Sequence, residues 1–284
     1  MEAAEGMVLR DPSKTEDRSH PKIWGRGYIS KILYPLVTFA ALLIAWQAFV
    51  SISGIASYVF PGPIDVIKAA IEIGPMMIVQ TVPTLFEIIC GFVLAVLVGV
   101  PLGILVAAFR PFERSMYPFI VGFQGIPKVA LAPIFIVWFG FGYTPKILLA
   151  LLLAFFPVMI DTLAGIRSIN PSYENLGRSM QGSRRSIYLK IFLPLALPQI
   201  FAGCKVAMSL AIIGAIVGEL MGANNGLGGI LLSATGQLQM DRAFVVIIWL
   251  GILSVPLVGL VSLIERLVIP WAPHNRTPHA TRPA

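Results

Sequence analysis

Ile147-Leu-Leu-Ala-Leu-Leu-Leu-Ala-Phe-Phe-Pro157-Val-Met-Ile-Asp161-Thr-Leu-Ala-Gly165-Ile166 runs for twenty residues with one charged side chain. A helix needs about 20 apolar residues to cross ~30 Å of hydrocarbon, so this run matches a membrane span. Working outward, the same reading places spans at Leu33–Ile52, Val82–Phe109, Tyr117–Phe139, Leu195–Met221 and Ala243–Val268. With 57% hydrophobic residues, 12% charged residues and a mean hydropathy of +0.83, the chain cannot hide its apolar surface from water. Soluble domains carry roughly twice that charge. Backbone groups facing lipid must bond within their own segment, which selects helices. Alternating strands of the barrel kind are absent from the sequence. The expected fold is all-α and polytopic, with about six transmembrane helices.

The net charge of +7 invites a nucleic-acid reading, but its distribution argues against one. Sixteen of the 21 Lys and Arg residues fall in the two tails, in the loops after spans two and four, and, as Arg266, at the inner end of span six. Only Lys68, Lys146 and Arg242 fall in the other loops, and Lys128 and Lys205 lie within spans. This asymmetry predicts that the charge-rich side, with both termini, is cytoplasmic. Residues 1–32 read as a disordered cytoplasmic tail, 33–270 as the six-helix domain, and 271–284 as a second cytoplasmic tail. The polar tail before span one is too long for a secretory leader, so that span is expected to be uncleaved. Cys90 and Cys204 fall inside apolar spans and His20, His274 and His279 in the tails, a distribution without metal-ligand spacing.

Between spans one and two, Phe60-Pro-Gly-Pro63 precedes Ile64–Ile73, whose spacing predicts a short helix lying on the outer membrane surface. Gly140-Phe-Gly142-Tyr-Thr-Pro145 reads as a tight outer turn. Gly222-Ala-Asn-Asn-Gly226-Leu-Gly228-Gly229 also reads as an outer turn, because a phosphate cradle needs a preceding strand and a following helix N-terminus. No G-x-x-x-x-G-K-[ST] occurs, so ATP-driven work would require a separate ATPase.

The loop Arg167–Lys190 includes Ser172-Tyr-Glu174-Asn-Leu176-Gly177-Arg-Ser-Met180-Gln181-Gly182-Ser183 and leads to Leu193-Pro194. Leu176 and Met180 are four apart and share a helix face, which water does not reward. Gly182 is expected to end that helix at positive φ, and Ser183 to cap the next one. Ile187 and Ile191 should point back toward the spans, with Pro194 and Pro198 marking the start of span five. Taken by itself, this is either a docking knob or a basic connector with interfacial helices.

The stretch resembles the ATPase-docking loop of ABC importer permeases, patterned as Glu-Ala-Ala, three residues, Gly-Ala-Ser, then Leu-Pro. Asn175-Leu176-Gly177 stand in place of Glu-Ala-Ala, and Gln181-Gly182 in place of Gly-Ala. Gly125-Ile-Pro-Lys128-Val-Ala-Leu-Ala-Pro133 through Gly142, and Phe155-Phe-Pro157 through Ser168, are similar to permeases for nitrate, sulfonates and taurine. Thiamine-precursor permeases share these motifs. Across about residues 30 to 270 the resemblance implies an all-α permease in a bacterial cytoplasmic membrane. It also implies a second copy of the permease, two ATPase subunits carrying ATP-Mg, and an external solute-binding protein. This chain is expected to hold no cofactor or metal and to catalyse nothing. The docking residues implied are Glu174, Leu176, Gly177, Met180, Gln181, Gly182, Ser183, Leu193 and Pro194.

Charges inside spans cost about 2.5–3.5 kcal/mol each at a helix centre. Glu87 and Glu219 are expected near outer span ends and Asp161 near an inner one, each within reach of interfacial water. Lys128, after a helix break at Pro127, and Lys205, deep in span five, are candidates with Asp161 and Glu219 for a translocation path. Such a path would favour anions; the alternative is that each lysine snorkels or pairs with a carboxylate. Pro133 and Pro157 invite kinks, and Gly91, Gly99, Gly103, Gly203 and Gly214 permit close helix contact. A secondary transporter, the rival reading, would require midplane ion-coupling carboxylates.

Overall fold

The computed structural model describes residues 26–222 and 225–271, so most of each expected tail lies outside the described residues, while residues 26–32, expected in the first tail, already belong to a helix. Ten α-helices are described: α1 (Arg26–Ser53), α2 (Pro63–Ala108), α3 (Arg110–Gly125), α4 (Ala132–Phe139), α5 (Tyr143–Arg167), α6 (Ser172–Ser179), α7 (Arg184–Ile187), α8 (Leu193–Leu220), α9 (Leu227–Gly236) and α10 (Met240–Val268). Five of the spans are long and apolar enough to cross a membrane, and a bent pair supplies a sixth. The all-α polytopic expectation holds.

Span three is the bent pair. Residues Pro118–Gly125 and Lys128–Phe139 meet at 79° across Ile126-Pro127. Pro127 has no N–H to continue the α3 ladder, and a short 3-10 turn, Lys128–Leu131, leads into α4. Pro133 then falls in the first turn of α4, where a missing N–H costs least, so it starts a helix and does not kink one.

The expected surface helix at Ile64–Ile73 is not separate: α2 runs unbroken for 46 residues. At 1.5 Å per residue it extends about 69 Å, over twice the hydrocarbon thickness. The reason lies in its buried stripe. Val66, Ala69, Ile73, Met77, Thr81, Thr84, Ile88, Gly91, Ala95, Gly99 and Gly103 recur at three or four residues without interruption. One face is therefore buried from end to end, and the N–H lost at Pro75 does not outweigh it.

α5 lies between α2 and α8, its two most extensive neighbours. Small residues set the spacing. A Cβ on Gly214 would lie 2.6 Å from Ala150 Cα, and one on Gly91 would lie 2.5 Å from Ala150 Cβ. Ala150 is thus clamped from both sides, and any larger side chain at either glycine would separate the helices. Gly99 meets Val158, Gly103 meets Thr162, and Gly203 meets Asp161 in the same manner. α4 adds Ala132 and Phe135 to a smaller cluster around Leu149 and Leu153. α1 stands at the edge, anchored where Trp46 meets Phe60 and Phe244 with ring centroids 6.0 and 5.9 Å away. Outward side chains such as Phe39, Ile71, Val255 and Leu267 are exposed, the surface expected of helices solvated by lipid.

Candidate functional site

The docking loop is built by two helix ends packed on each other. α6 opens with Glu174, whose Oε1 accepts from Arg178 Nη2 at 2.6 Å one turn on. Its C-terminus closes with the Gln181 N–H donating to the Arg178 carbonyl at 2.9 Å and the Gly182 N–H donating to the Gly177 carbonyl at 3.0 Å. These two bonds are the Schellman pair that satisfies orphan carbonyls at a helix end. The left-handed residue of that motif is Gln181, with φ 57°, and not Gly182 as the sequence reading expected. Gly182 serves a different need: a Cβ there would lie 2.8 Å from the Gly177 carbonyl oxygen.

Ser183 Oγ accepts the Ser186 N–H at 3.2 Å and caps α7. Ile187 is buried against Gly177, where a Cβ would come within 2.8 Å of Ile187 Cγ1. α7 continues through a π-helical turn, Tyr188–Phe192, directly into α8, whose first residues are Leu193 and Pro194. The widened turn occurs where Pro194 has no N–H for the carbonyl a turn earlier. Leu176 and Met180 point outward at 55% and 75% exposure. The other face of α6, with Glu174 and Arg178, borders a cavity of about 620 Å³ lined also by Phe109, Ile166, Tyr188 and Phe192.

The four path candidates do not form one cluster. Lys205 Nζ pairs with Glu265 Oε2 on α10 at 2.5 Å, and Lys128 Nζ stands 4.7 Å from the ring centre of Phe156. Asp161 Oδ1 accepts from Gln199 Nε2 at 2.9 Å. Glu219 and Glu87 are fully buried, contrary to the expected access to interfacial water. Glu219 Oε1 accepts from Thr84 Oγ1 at 2.7 Å, and its Oε2 accepts from the Gly228 N–H at 2.6 Å. Glu87 Oε1 accepts from Lys146 Nζ at 2.7 Å.

Sequence reasoning missed Lys146, assigning it to an outer loop, and missed α9, reading its glycine-rich start as a turn. A helix N-terminus does stand behind those glycines, and the group its N–H meets is the chain's own Glu219 carboxyl. One signal was available: Gln80, Thr84 and Glu87 recur at i, i+4 and i+7 in an otherwise apolar helix, a polar stripe that must meet partners. Glu265, the partner of Lys205, carried no comparable signal. Among the described residues no group of three or more His, Cys, Asp or Glu residues is arranged to hold a metal ion.

Together these features define a multi-pass α-helical membrane protein with an exposed apolar knob on one end. Residues 99–271 match the family described as the binding-protein-dependent transport system inner membrane component, and the chain belongs to that family. It is similar to the formylaminopyrimidine transport permease protein ThiX of Halalkalibacterium halodurans, 33% identical over 84% of this chain and 96% of the relative. The riboflavin transport system permease protein RibX of Chloroflexus aurantiacus is 35% identical, with 83% and 88% covered. The taurine transport system permease protein TauC of Escherichia coli is 29% identical, with 87% and 93% covered. Among solved structures, an inward-facing form of the MetNI methionine ABC transporter aligns with a TM-score of 0.60 at 21% identity, covering 68% of this chain and 96% of that one. That likeness concerns the fold alone. The chain is the permease subunit of an ABC importer and not an enzyme.

Proposed function

We propose that this permease forms the translocation path for a small nitrogen heterocycle of the thiamine-precursor kind, working as a pair of copies in a bacterial cytoplasmic membrane. The observation that carries its coupling role is the outward pair Leu176 and Met180, held on a capped two-helix turn. Each of two ATPase subunits, loaded with ATP-Mg, would bury one such knob. When the ATPases close, the knobs move with them, and the spans rock as rigid bodies around a site between the two copies. An external binding protein delivers the solute at the opposite end.

Two considerations favour a heterocycle over an inorganic anion. Two relatives above 30% identity are named for a solute, a formylaminopyrimidine and riboflavin, both nitrogen heterocycles. Of the two in-span lysines, Lys205 is also paired with a carboxylate, which removes half of the positive charge expected of the path. A second reading, a small organic sulfonate, is favoured by similarity to aliphatic-sulfonate and taurine permeases at 29% identity. Reconstitution with the cognate ATPase and binding protein separates the two. ATP-dependent uptake of a labelled aminopyrimidine that taurine and alkanesulfonates do not compete supports the first; competition by sulfonates with no pyrimidine uptake supports the second.

A further inference from the structure

Span three breaks deep inside the bundle. The last four carbonyls of a helix have no intrahelical partner, and at the end of α3 these belong to Gly122, Phe123, Gln124 and Gly125. Lys128 Nζ donates to the Gln124 carbonyl at 3.4 Å. The same ammonium stands 4.7 Å from the ring centre of Phe156, which lies midway along α5. Lys128 therefore does not snorkel to an interface; its charge sits at the depth of the break. Phe123 stacks on Phe156 with ring centroids 6.5 Å apart and planes inclined by 24°.

These groups lie on the surface of the chain. Every residue from Gly122 to Pro127 is exposed. A Cβ at Gly122 or Gly125 would meet nothing within 4 Å, whereas one at Gly91, Gly99, Gly103, Gly203 or Gly214 would press on a neighbouring helix. Gly122 and Gly125 thus leave open space before the break and close no contact within the chain. Hydrocarbon is a poor occupant of that space. It offers no donor to free carbonyls, and irregular backbone at membrane depth is tolerated only where protein buries it or it lines a water-filled cavity. An ammonium within a span obeys the same restriction.

We propose, resting on the reading of this chain as one of two copies around the path, that the break in span three is where the path touches its solute. Each copy presents its break to the other across water. The segment offers a charged donor in Lys128 Nζ, a row of carbonyl acceptors at the end of α3, and the Phe123–Phe156 ring pair. A flat nitrogen heterocycle with amino donors, an acceptor oxygen or ring nitrogen, and an aromatic face satisfies all three. An alkanesulfonate satisfies the ammonium alone, because its oxygens only accept and the carbonyls need donors.

The test uses the complete complex of permease, ATPase and binding protein in lipid nanodiscs, with Cys90→Ala and Cys204→Ala as background. Gly125→Cys at the break and Phe39→Cys midway along exposed α1 are each treated with a charged methanethiosulfonate. The reagent attacks a thiolate, so a wet Gly125→Cys is expected to label roughly tenfold or more faster than Phe39→Cys. Equal rates overturn the proposal. In uptake, Lys128→Met should raise KM by roughly tenfold, the worth of one charged hydrogen bond, with ATPase co-purification unchanged. Lys128→Arg should recover most of that loss. An unchanged KM in Lys128→Met also overturns the proposal. Labelling requires no solute, so the two readings fail separately. Fast labelling of a complex that takes up alkanesulfonates and no aminopyrimidine removes the heterocycle and keeps the wet break. Slow labelling beside normal aminopyrimidine uptake removes the wet break alone.

Discussion

The Gly182 N–H closes on the Gly177 carbonyl at 3.0 Å, and this bond turns the chain between the two helices of the docking loop. It forces Gln181 to φ 57°, the left-handed region that a side chain disfavours by roughly 1–2 kcal/mol. The related permease pattern has glycine where Gln181 stands and alanine where Gly182 stands. Gln181→Gly should therefore stabilise the protein by about 1 kcal/mol. A raised unfolding temperature with unchanged uptake is the expected result. Gly182→Val should do the opposite, because its Cβ would press on the Gly177 carbonyl oxygen.

Leu176 and Met180 are exposed without a packing role in this chain. Leu176→Asp combined with Met180→Asp should leave the permease folded in the membrane. The doubly substituted protein is expected to lose co-purification of its ATPase and at least tenfold in energised uptake, since about 1.4 kcal/mol of docking energy is worth tenfold. Normal assembly would remove the basis of the coupling mechanism.

Lys146 faces Glu87 with only 9% of its side chain exposed. Lys146→Met removes the counter-charge from the buried Glu87 and should cost about 3–5 kcal/mol of stability. Combining it with Glu87→Met should recover most of that loss, because an apolar pair of similar volume replaces the ion pair. Thermal unfolding of the two variants in matched detergent checks both values.

Lys205 and Glu265 join α8 to α10. Exchanging them, with Lys205→Glu and Glu265→Lys together, should restore assembly that either change alone impairs. Competition profiles for the transported solute should match wild type in the exchanged protein. A shifted profile would return Lys205 to the translocation path.

Gly214 sits against the Ala150 backbone at the α5–α8 contact. Gly214→Val should overpack it and cost about 1–3 kcal/mol, read as a lower unfolding temperature.

The amphipathic knob was legible because Leu176 and Met180 are local neighbours on one helix turn, and Ser183 announces the next helix by chemistry confined to a few residues. The positive φ was misplaced by one position for a related reason. Glycine at 182 satisfied the usual rule for helix ends, yet it is required there for close approach to Gly177, a contact that composition does not distinguish from backbone freedom. The surface helix failed as a separate element because the spacing of Ile64–Ile73 was read locally, whereas the buried stripe of α2 continues past Gly74 and Pro75.

Lipid as the solvent, helices as the form and the approximate spans all followed from the sequence alone, because hydropathy accumulates residue by residue against a fixed bilayer thickness. Which charges meet was decided by the tertiary structure. Glu87 and Lys146 are 59 residues apart, and Thr84 and Glu219 are 135 apart. No periodicity spans such separations. Only the packing of α5 between α2 and α8, at distances set by Gly91, Ala150 and Gly214, brings those side chains together and buries them.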